Sequence, residues 1–256
     1  MTVVLAAVDD TTSAVAVVHV ARTIAELLDA SVRAIHVRED PDAADAVAEA
    51  HVGIDVQIVD GDPCTEIVRA IDDPDVGIVV MGARGEPTGP RPAGHATIDV
   101  AGRIDKPVVI VPPEPPDASG ARPIRRVLVP LEGTRESSAA VSDTLRLFAD
   151  AGAELIALHV FDPSTVPRFW DQSGHADHVY ATDFESRWCD VSPSGVRLRR
   201  GPAPTTVVDV ADDEEADLIA LGWNQSLAPG RAGIVRAALA HTIPVLLVPT
   251  PGRGDA

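Results

Sequence analysis

The chain has 256 residues, 45% of them hydrophobic, which is enough to form the cores of two domains of ordinary size. Its 39 acidic and 21 basic residues give a net charge of -18, which repels nucleic acid and anionic membranes and disfavours both as partners. Aromatic residues are only 3% of the chain, so the cores must be built from Val, Ile, Leu and Ala, as in parallel strands buried on both faces.

The composition also favours a cytoplasmic location. No apolar run approaches the roughly 20 residues that span a bilayer, and the opening MTVVLAAVDD lacks a basic region and a small-residue cleavage site. The two cysteines, Cys64 and Cys189, fall one in each half and fit a reducing compartment better than a disulfide framework. We therefore expect a cytoplasmic protein.

The first half alternates short apolar runs with segments of helical periodicity. Strands are predicted at Val3–Val8, Val32–Val37, Ile54–Val59, Ile78–Met81 and Val108–Val111. Helices are predicted at Ala14–Asp29, Asp42–His51, Thr65–Ile71 and about His95–Arg103. Such alternation predicts βαβ units and a parallel sheet.

The second half repeats the pattern after a stiff, proline-rich connector, PPEPPDASGARP. Strands are predicted at Val127–Leu131, Leu155–Val160, Val196–Arg199, Leu218–Leu221 and Val245–Val248. Helices are predicted to end at Asp150 and to cover Thr205–Glu215 and Ile234–His241. The connector divides the chain into a first domain (1–113), a linker (114–123), a second domain (124–250) and a tail (251–256).

A glycine-rich loop between two buried strands occurs in each half. The first lies within Val79–Pro112 and the second within Ile219–Pro249. Glycines allow backbone N–H groups to approach phosphate oxygens closely, so each loop is a candidate phosphate site.

With both halves considered together, the chain resembles a tandem universal stress protein over nearly its whole length. The matching blocks include VVLAAVDDTTSAVAV and VLVPLEGTRESSAAV at the starts of the halves, and DKPVVIVP and TIPVLLVP at their ends. The resemblance implies an α/β fold of two tandem doubly wound domains, each with a five-stranded, mainly parallel sheet flanked by helices. It also implies a nucleotide site beside the glycine loop in ATP-binding members, and pairing through strand five, either between the two halves or in a homodimer.

The first half matches the ATP-binding pattern in part. That pattern is Gly, two residues, Gly, nine residues, then Gly-Ser or Gly-Thr. Gly82 and Gly85 match, but eight residues separate Gly85 from Gly94, and His95 stands where the hydroxyl residue belongs. The resemblance then implies a nucleotide-binding set of Ala7, Asp9, Val37, Met81, Gly82, Gly85, Gly94, His95 and Ala96.

The second half departs further from that pattern. Gly222 matches, but Gln225 replaces the second glycine, Trp223 crowds the loop, and Glu132 replaces the aspartate. We therefore expect a degenerate copy, retained for pairing and interaction.

The long second crossover of this half, Phe161–Gly195, has two interpretations. His175, His178 and Cys189, with nearby aspartates Asp171, Asp177 and Asp183, are types of side chain that bind metals. The favoured interpretation is an amphipathic helix that covers the second domain through Tyr180, Phe184, Trp188 and Cys189, so that no metal is expected. His36 and His159 occupy matching strand ends and are interpreted as structural.

The sequence thus predicts a non-enzymatic regulatory protein of a stress response that binds ATP or AMP in its first domain. It contains no Walker lysine and no G-x-S-x-G nucleophile motif. Two alternatives remain open at this point. One is an interaction or scaffold protein of the same fold without a nucleotide, and the other is a metal-dependent or ATP-hydrolysing enzyme that uses the long crossover. The sequence does not identify a protein partner.

Overall fold

The structure is a computed structural model that describes residues 2–9, 13–38, 54, 56–83, 93–112, 122–161, 174–225 and 232–250. The chain forms two compact units. The first consists of Met1–Ile124 and Leu239–Leu247, and the second of Arg125–Ala238 and Val248–Ala256.

The first unit is a parallel sheet with helical crossovers. Its strands are β1 (Val3–Val8), β2 (Ser31–Arg38), β3 (Val56–Asp60), β4 (Val76–Gly82) and β5 (Val108–Val111). Its helices are α1 (Ser13–Leu27), α2 (Pro63–Ile71) and α3 (His95–Ala101). The strand order is β3-β2-β1-β4-β5, and every neighbouring pair is parallel. Residues 245–247, which also belong to this unit, lie antiparallel to β5.

The central strands of this sheet are buried on both faces. All six residues of β1 and all four of β5 are buried. Helix α1 covers the sheet with side chains such as Val17, Ala21 and Ile24, each at most 2% exposed. Continuous apolar runs, rather than alternating ones, are therefore what the sequence needs for these strands.

Helix α2 shows how local sequence sets an element's ends. Asp62 accepts hydrogen bonds from the backbone N–H (2.8 Å) and the hydroxyl (2.7 Å) of Thr65, and proline occupies the first turn. At the other end, Lys106 donates from Nζ to the carbonyl oxygens of Ile71 (2.6 Å) and Asp73 (2.7 Å). The helix end therefore has partners for carbonyl groups that the helix itself leaves unsatisfied.

The second unit repeats this architecture. Its strands are β6 (Arg126–Pro130), β7 (Glu154–Phe161), β8 (Gly195–Arg200) and β9 (Leu218–Trp223), in the order β9-β6-β7-β8 with parallel pairing. Its helices are α4 (Arg135–Asp150), α5 (Gly174–Trp188), α6 (Ala203–Asp213) and α7 (Gly233–Leu239), the last shared by one residue with the first unit. The final strand of the chain is β10 (Val245–Pro249).

The predicted fold class is confirmed: the chain is α/β, with mostly parallel strands flanked by helices. Element ends differ by at most two residues from the prediction. Helix α1 ends at Leu27 rather than Asp29, and Asp29 itself has a left-handed backbone with φ 49°. The helix predicted at Asp42–His51 lies outside the described residues. Of the described helices, none is both long enough and apolar enough to cross a membrane.

Candidate functional site

The strand order of the first unit creates a crevice at the carboxyl edge of its sheet. Strand β1 lies between β2 and β4, so the chain leaves β1 in one direction and later returns on the other side. The crossovers that follow β1 and β4 therefore diverge at this point. In open α/β sheets, ligands bind at such a reversal, outside the carboxyl ends of the strands.

Five of the predicted nucleotide-binding residues lie at this edge. Ala7 and Met81 are paired in register on β1 and β4, and are 9% and 4% exposed. Val37 is near the carboxyl end of β2, Gly82 ends β4, and Asp9 follows β1, all three partly exposed. Three adjacent strands therefore contribute to one apolar surface, and a carboxylate lies beside it.

The end of the glycine-rich loop is tied to the end of β4. The N–H of Gly94 donates to the Ala83 carbonyl at 2.6 Å, and the hydroxyl of Thr97, on α3, donates to the Gly82 carbonyl at 2.8 Å. His95 and Ala96 are exposed at the start of α3. Gly85 lies outside the described residues, as does the loop around it.

The geometry at Gly94 does not itself require a glycine. Its φ is -68°, and a Cβ at this position would lie 3.6 Å from the Ala83 carbonyl oxygen, an ordinary contact. A role for Gly94 therefore depends on close approach of a ligand to its backbone, because the fold alone would accept a side chain there.

His36, which the sequence predicts to be structural, has a hydrogen-bond partner at the end of β1. The Nδ1 atom of His36 lies 3.0 Å from the carbonyl oxygen of Val8. A carbonyl only accepts hydrogen bonds, so Nδ1 carries the hydrogen and donates it. The bond holds the ends of β1 and β2 together immediately before Asp9.

The second unit has the same bond at the same place. His159 Nδ1 lies 2.9 Å from the carbonyl oxygen of Leu131, again 28 residues earlier in the chain. The next residue, Glu132, is exposed where the first unit has Asp9. Gln225 has φ 60°, a conformation that suits glycine, at the position of the missing glycine. Trp223 is 2% exposed at the end of β9.

An aromatic cluster covers the carboxyl edge of the second unit. The His159 ring lies 4.6 Å from that of Phe161, edge to face, and 4.7 Å from that of Phe184 on α5. Tyr180, one helical turn before Phe184, lies 5.4 Å from Phe161. Burial lowers the pKa of His159, although the hydrogen bond to Leu131 opposes this effect. The neutral imidazole is therefore favoured.

The predicted covering helix is present as α5, but its residues divide between two places. Phe184 enters the aromatic cluster, whereas Trp188 and Cys189 line a small pocket against α4, with a volume of about 20 Å³. Such a volume holds roughly one water molecule, which is too small for an organic ligand.

The metal interpretation of this crossover gains no support. Across the described ranges, no group of three or more His, Cys, Asp or Glu side chains is placed to hold a metal ion. Asp171 and the side chain of His175 lie outside those ranges. Burial raises the pKa of the Cys189 thiol to about 11, which opposes the thiolate form that metals bind.

Comparison with known proteins gives a consistent result. The model of the universal stress protein family matches residues 41–112 and 123–249. No curated protein matches the chain significantly. A universal stress protein from Archaeoglobus fulgidus DSM 4304 is similar in structure, with 17% identity and a TM-score of 0.67 over 98% of each chain.

Two further structures are similar. A protein of unknown function from Pseudomonas aeruginosa PAO1 has 14% identity and a TM-score of 0.66, covering 97% of this chain and 92% of its own. A universal stress protein in complex with cAMP has 20% identity and a TM-score of 0.36, covering 50% of this chain and 98% of its own. At these identities, the likenesses to the Archaeoglobus fulgidus and Pseudomonas aeruginosa proteins establish the shared fold.

Proposed function

Because this chain belongs to the universal stress protein family, we propose that it binds an adenine nucleotide, ATP or AMP, at the carboxyl edge of its first unit. The observation that carries the proposal is the grouping of Ala7, Val37, Met81 and Asp9 at the strand-order reversal. An adenine ring would lie on this apolar surface, and the Asp9 carboxylate would accept hydrogen bonds from the nucleoside.

The phosphates would extend from Gly82 along the glycine-rich loop. Gly82 is held by Thr97, so the start of the loop has a fixed position. Its exposed neighbour across the loop, His95, would face the phosphate group in place of the hydroxyl residue of the family pattern. This difference predicts weaker phosphate binding than that of members with the full pattern, because one donor is changed and the others remain.

We propose a regulatory role without catalysis. In this role, nucleotide binding shifts the population of surfaces that a protein partner can recognise. A cytoplasmic setting suits the role, since both Cys64 and Cys189 are free thiols.

Calorimetry with ATP, AMP and cAMP tests this function. We expect ATP or AMP to bind one site per chain. Asp9→Ala should weaken binding roughly 10- to 100-fold, because a hydrogen bond to a charged group contributes about 1.5–3 kcal/mol. The matched control is Glu132→Ala, at the corresponding position of the second unit, and it should leave affinity unchanged. Absence of binding at millimolar nucleotide, or loss in the Glu132 variant alone, would refute the assignment.

A further inference from the structure

The crevice of the second unit is filled by one of its own helices. Phe184, on α5, is 2% exposed. A Cβ atom built on Gly133 would lie 3.3 Å from Cε2 of Phe184 and 3.4 Å from Cε1 of His159. Gly133 belongs to the turn after β6, which corresponds to the turn after β1 that carries Asp9. The Phe184 ring therefore lies where a ligand of this edge would be expected.

The surroundings of Phe184 suit a flat ring. His159 lies beside it at 4.7 Å with an interplanar angle of 36°, and Phe161 contacts the imidazole edge to face at 86°. These separations are within the range in which aromatic rings attract one another. Gly133, with φ 77°, leaves the opposite wall free of a side chain.

We propose that α5 is an autoinhibitory element, in which Phe184 occupies a latent site for an adenine-type ring in the second unit. The choice of adenine rests on the function proposed for the first unit. The blocking of the second unit by Phe184 is argued from its own contacts and does not depend on that function. The two units are then unequal because one crevice is blocked by the chain itself.

The attachment of α5 is compatible with release. Its side-chain hydrogen bonds from Thr182, Ser186 and Arg187 all close within the helix. Within the part of the chain that the structure describes, the Oδ1 atom of Asp177 is buried without a hydrogen-bond partner. Opening of α5 would expose that oxygen to water and remove the cost of its desolvation. Phe184, which is 2% exposed, therefore contributes apolar contact that holds the helix in place.

The latent site suits a nucleoside better than a nucleotide. Gln225 replaces the glycine that would approach a phosphate, and Trp223 fills the end of β9 with a buried indole. Adenosine carries no phosphate and therefore does not need that contact. Adenosine is therefore the appropriate probe.

The test uses the full chain with Asp9→Ala, which weakens binding at the first unit, combined with Phe184→Ala or the milder Phe184→Leu. Circular dichroism establishes that each variant is folded. We expect at least one of the combined variants to bind adenosine at least tenfold more tightly than Asp9→Ala alone. The matched controls replace Phe148, a fully buried side chain in the last turn of α4, by Ala or Leu.

Each outcome has a definite meaning. Adenosine binding gained with the Phe184 variants and not with the Phe148 variants supports the latent site, even if the wild-type chain binds no nucleotide and the function of the first unit fails. The proposal is overturned if none of the folded Phe184 variants gains adenosine binding. An equal gain with the Phe148 variants also overturns it, because any new cavity would then suffice.

Discussion

His159 donates a hydrogen bond from Nδ1 to the carbonyl oxygen of Leu131, 2.9 Å away, and so links the ends of two neighbouring strands of the second unit. The first unit has the same link between His36 and Val8. The surroundings differ, because His159 also contacts the rings of Phe161 and Phe184. The same bond from a histidine to a backbone carbonyl therefore lies within an aromatic cluster in only one of the two described sites.

The burial of His159 predicts a loss of stability in acid. Its pKa in the folded chain lies below the unfolded value of about 6.5. The unfolded state therefore binds a proton more readily, and this stabilising contribution is complete above about pH 6.5 and declines as the pH falls towards the depressed folded pKa. Urea unfolding between about pH 8 and pH 5 should show a smaller decline for His159→Gln than for wild type. His178→Gln, an exposed change on α5, is the control, and equal declines in all three proteins would contradict the prediction.

Contact between Gly133 and the aromatic cluster predicts an unusually costly alanine substitution. A left-handed backbone costs an L-residue about 1–2 kcal/mol, and Gly133→Ala adds crowding against Phe184 and His159. Gly152→Ala is the matched control, since Gly152 has φ 93° and a Cβ added there would meet no atom within 4 Å. In urea unfolding, Gly133→Ala should be more destabilising than Gly152→Ala. A double-mutant cycle with Phe184→Ala should show a coupling of at least about 0.5 kcal/mol, and a coupling of zero would show that the ring is not in contact.

The sequence was sufficient to predict the fold because the sheet is encoded locally. Strands such as β1 and β5 are apolar at every position, since helices cover both faces, and turn residues mark their ends. Boundaries were less accurate where a cap extends an element. Helix α2 begins at Pro63, two residues before the prediction, because Asp62 caps it and proline suits a first turn.

The site was less accessible to sequence reasoning for a physical reason. Ala7 and Met81 could be singled out only through a family resemblance, because their proximity depends on strand order, which periodicity does not encode. The contact of Phe184 with Gly133 joins residues 51 positions apart through the placement of α5. The sequence predicted that α5 would be buried through Phe184, but the crevice that it fills became visible only in three dimensions.

The ion pair between Arg197 and Glu214 predicts a second acid-dependent contribution. Arg197 donates to both carboxylate oxygens, with Nη2 at 3.0 Å from Oε2, and this holds the pKa of Glu214 below its ordinary value. The contribution is present above the unfolded pKa of about 4.3 and is lost as the pH falls through the lower folded value. Glu214→Gln should therefore be most destabilising near neutrality, and its difference from wild type should shrink in acid. Glu215→Gln, at a side chain that is 71% exposed, should show little effect at any pH, and a difference for Glu214→Gln that does not depend on pH would refute the assignment.

Cys189 should be alkylated slowly, and its rate of alkylation reports how firmly α5 is held against the second unit. Burial first, and then the nearby Glu185 and Asp190 carboxylates, raise the pKa of this thiol to about 11, so roughly one molecule in ten thousand is thiolate at neutral pH. In a Cys64→Ser chain, the iodoacetamide rate should rise about tenfold per pH unit from about pH 7 to pH 10, whereas the urea-unfolded chain should level off near the ordinary thiol pKa of about 8.5. A native chain that levels off near the same pH would show that Cys189 is exposed. Adding Phe184→Leu should raise the native rate if the ring holds the helix against the unit, whereas Val179→Leu, at an exposed position of the same helix, should not.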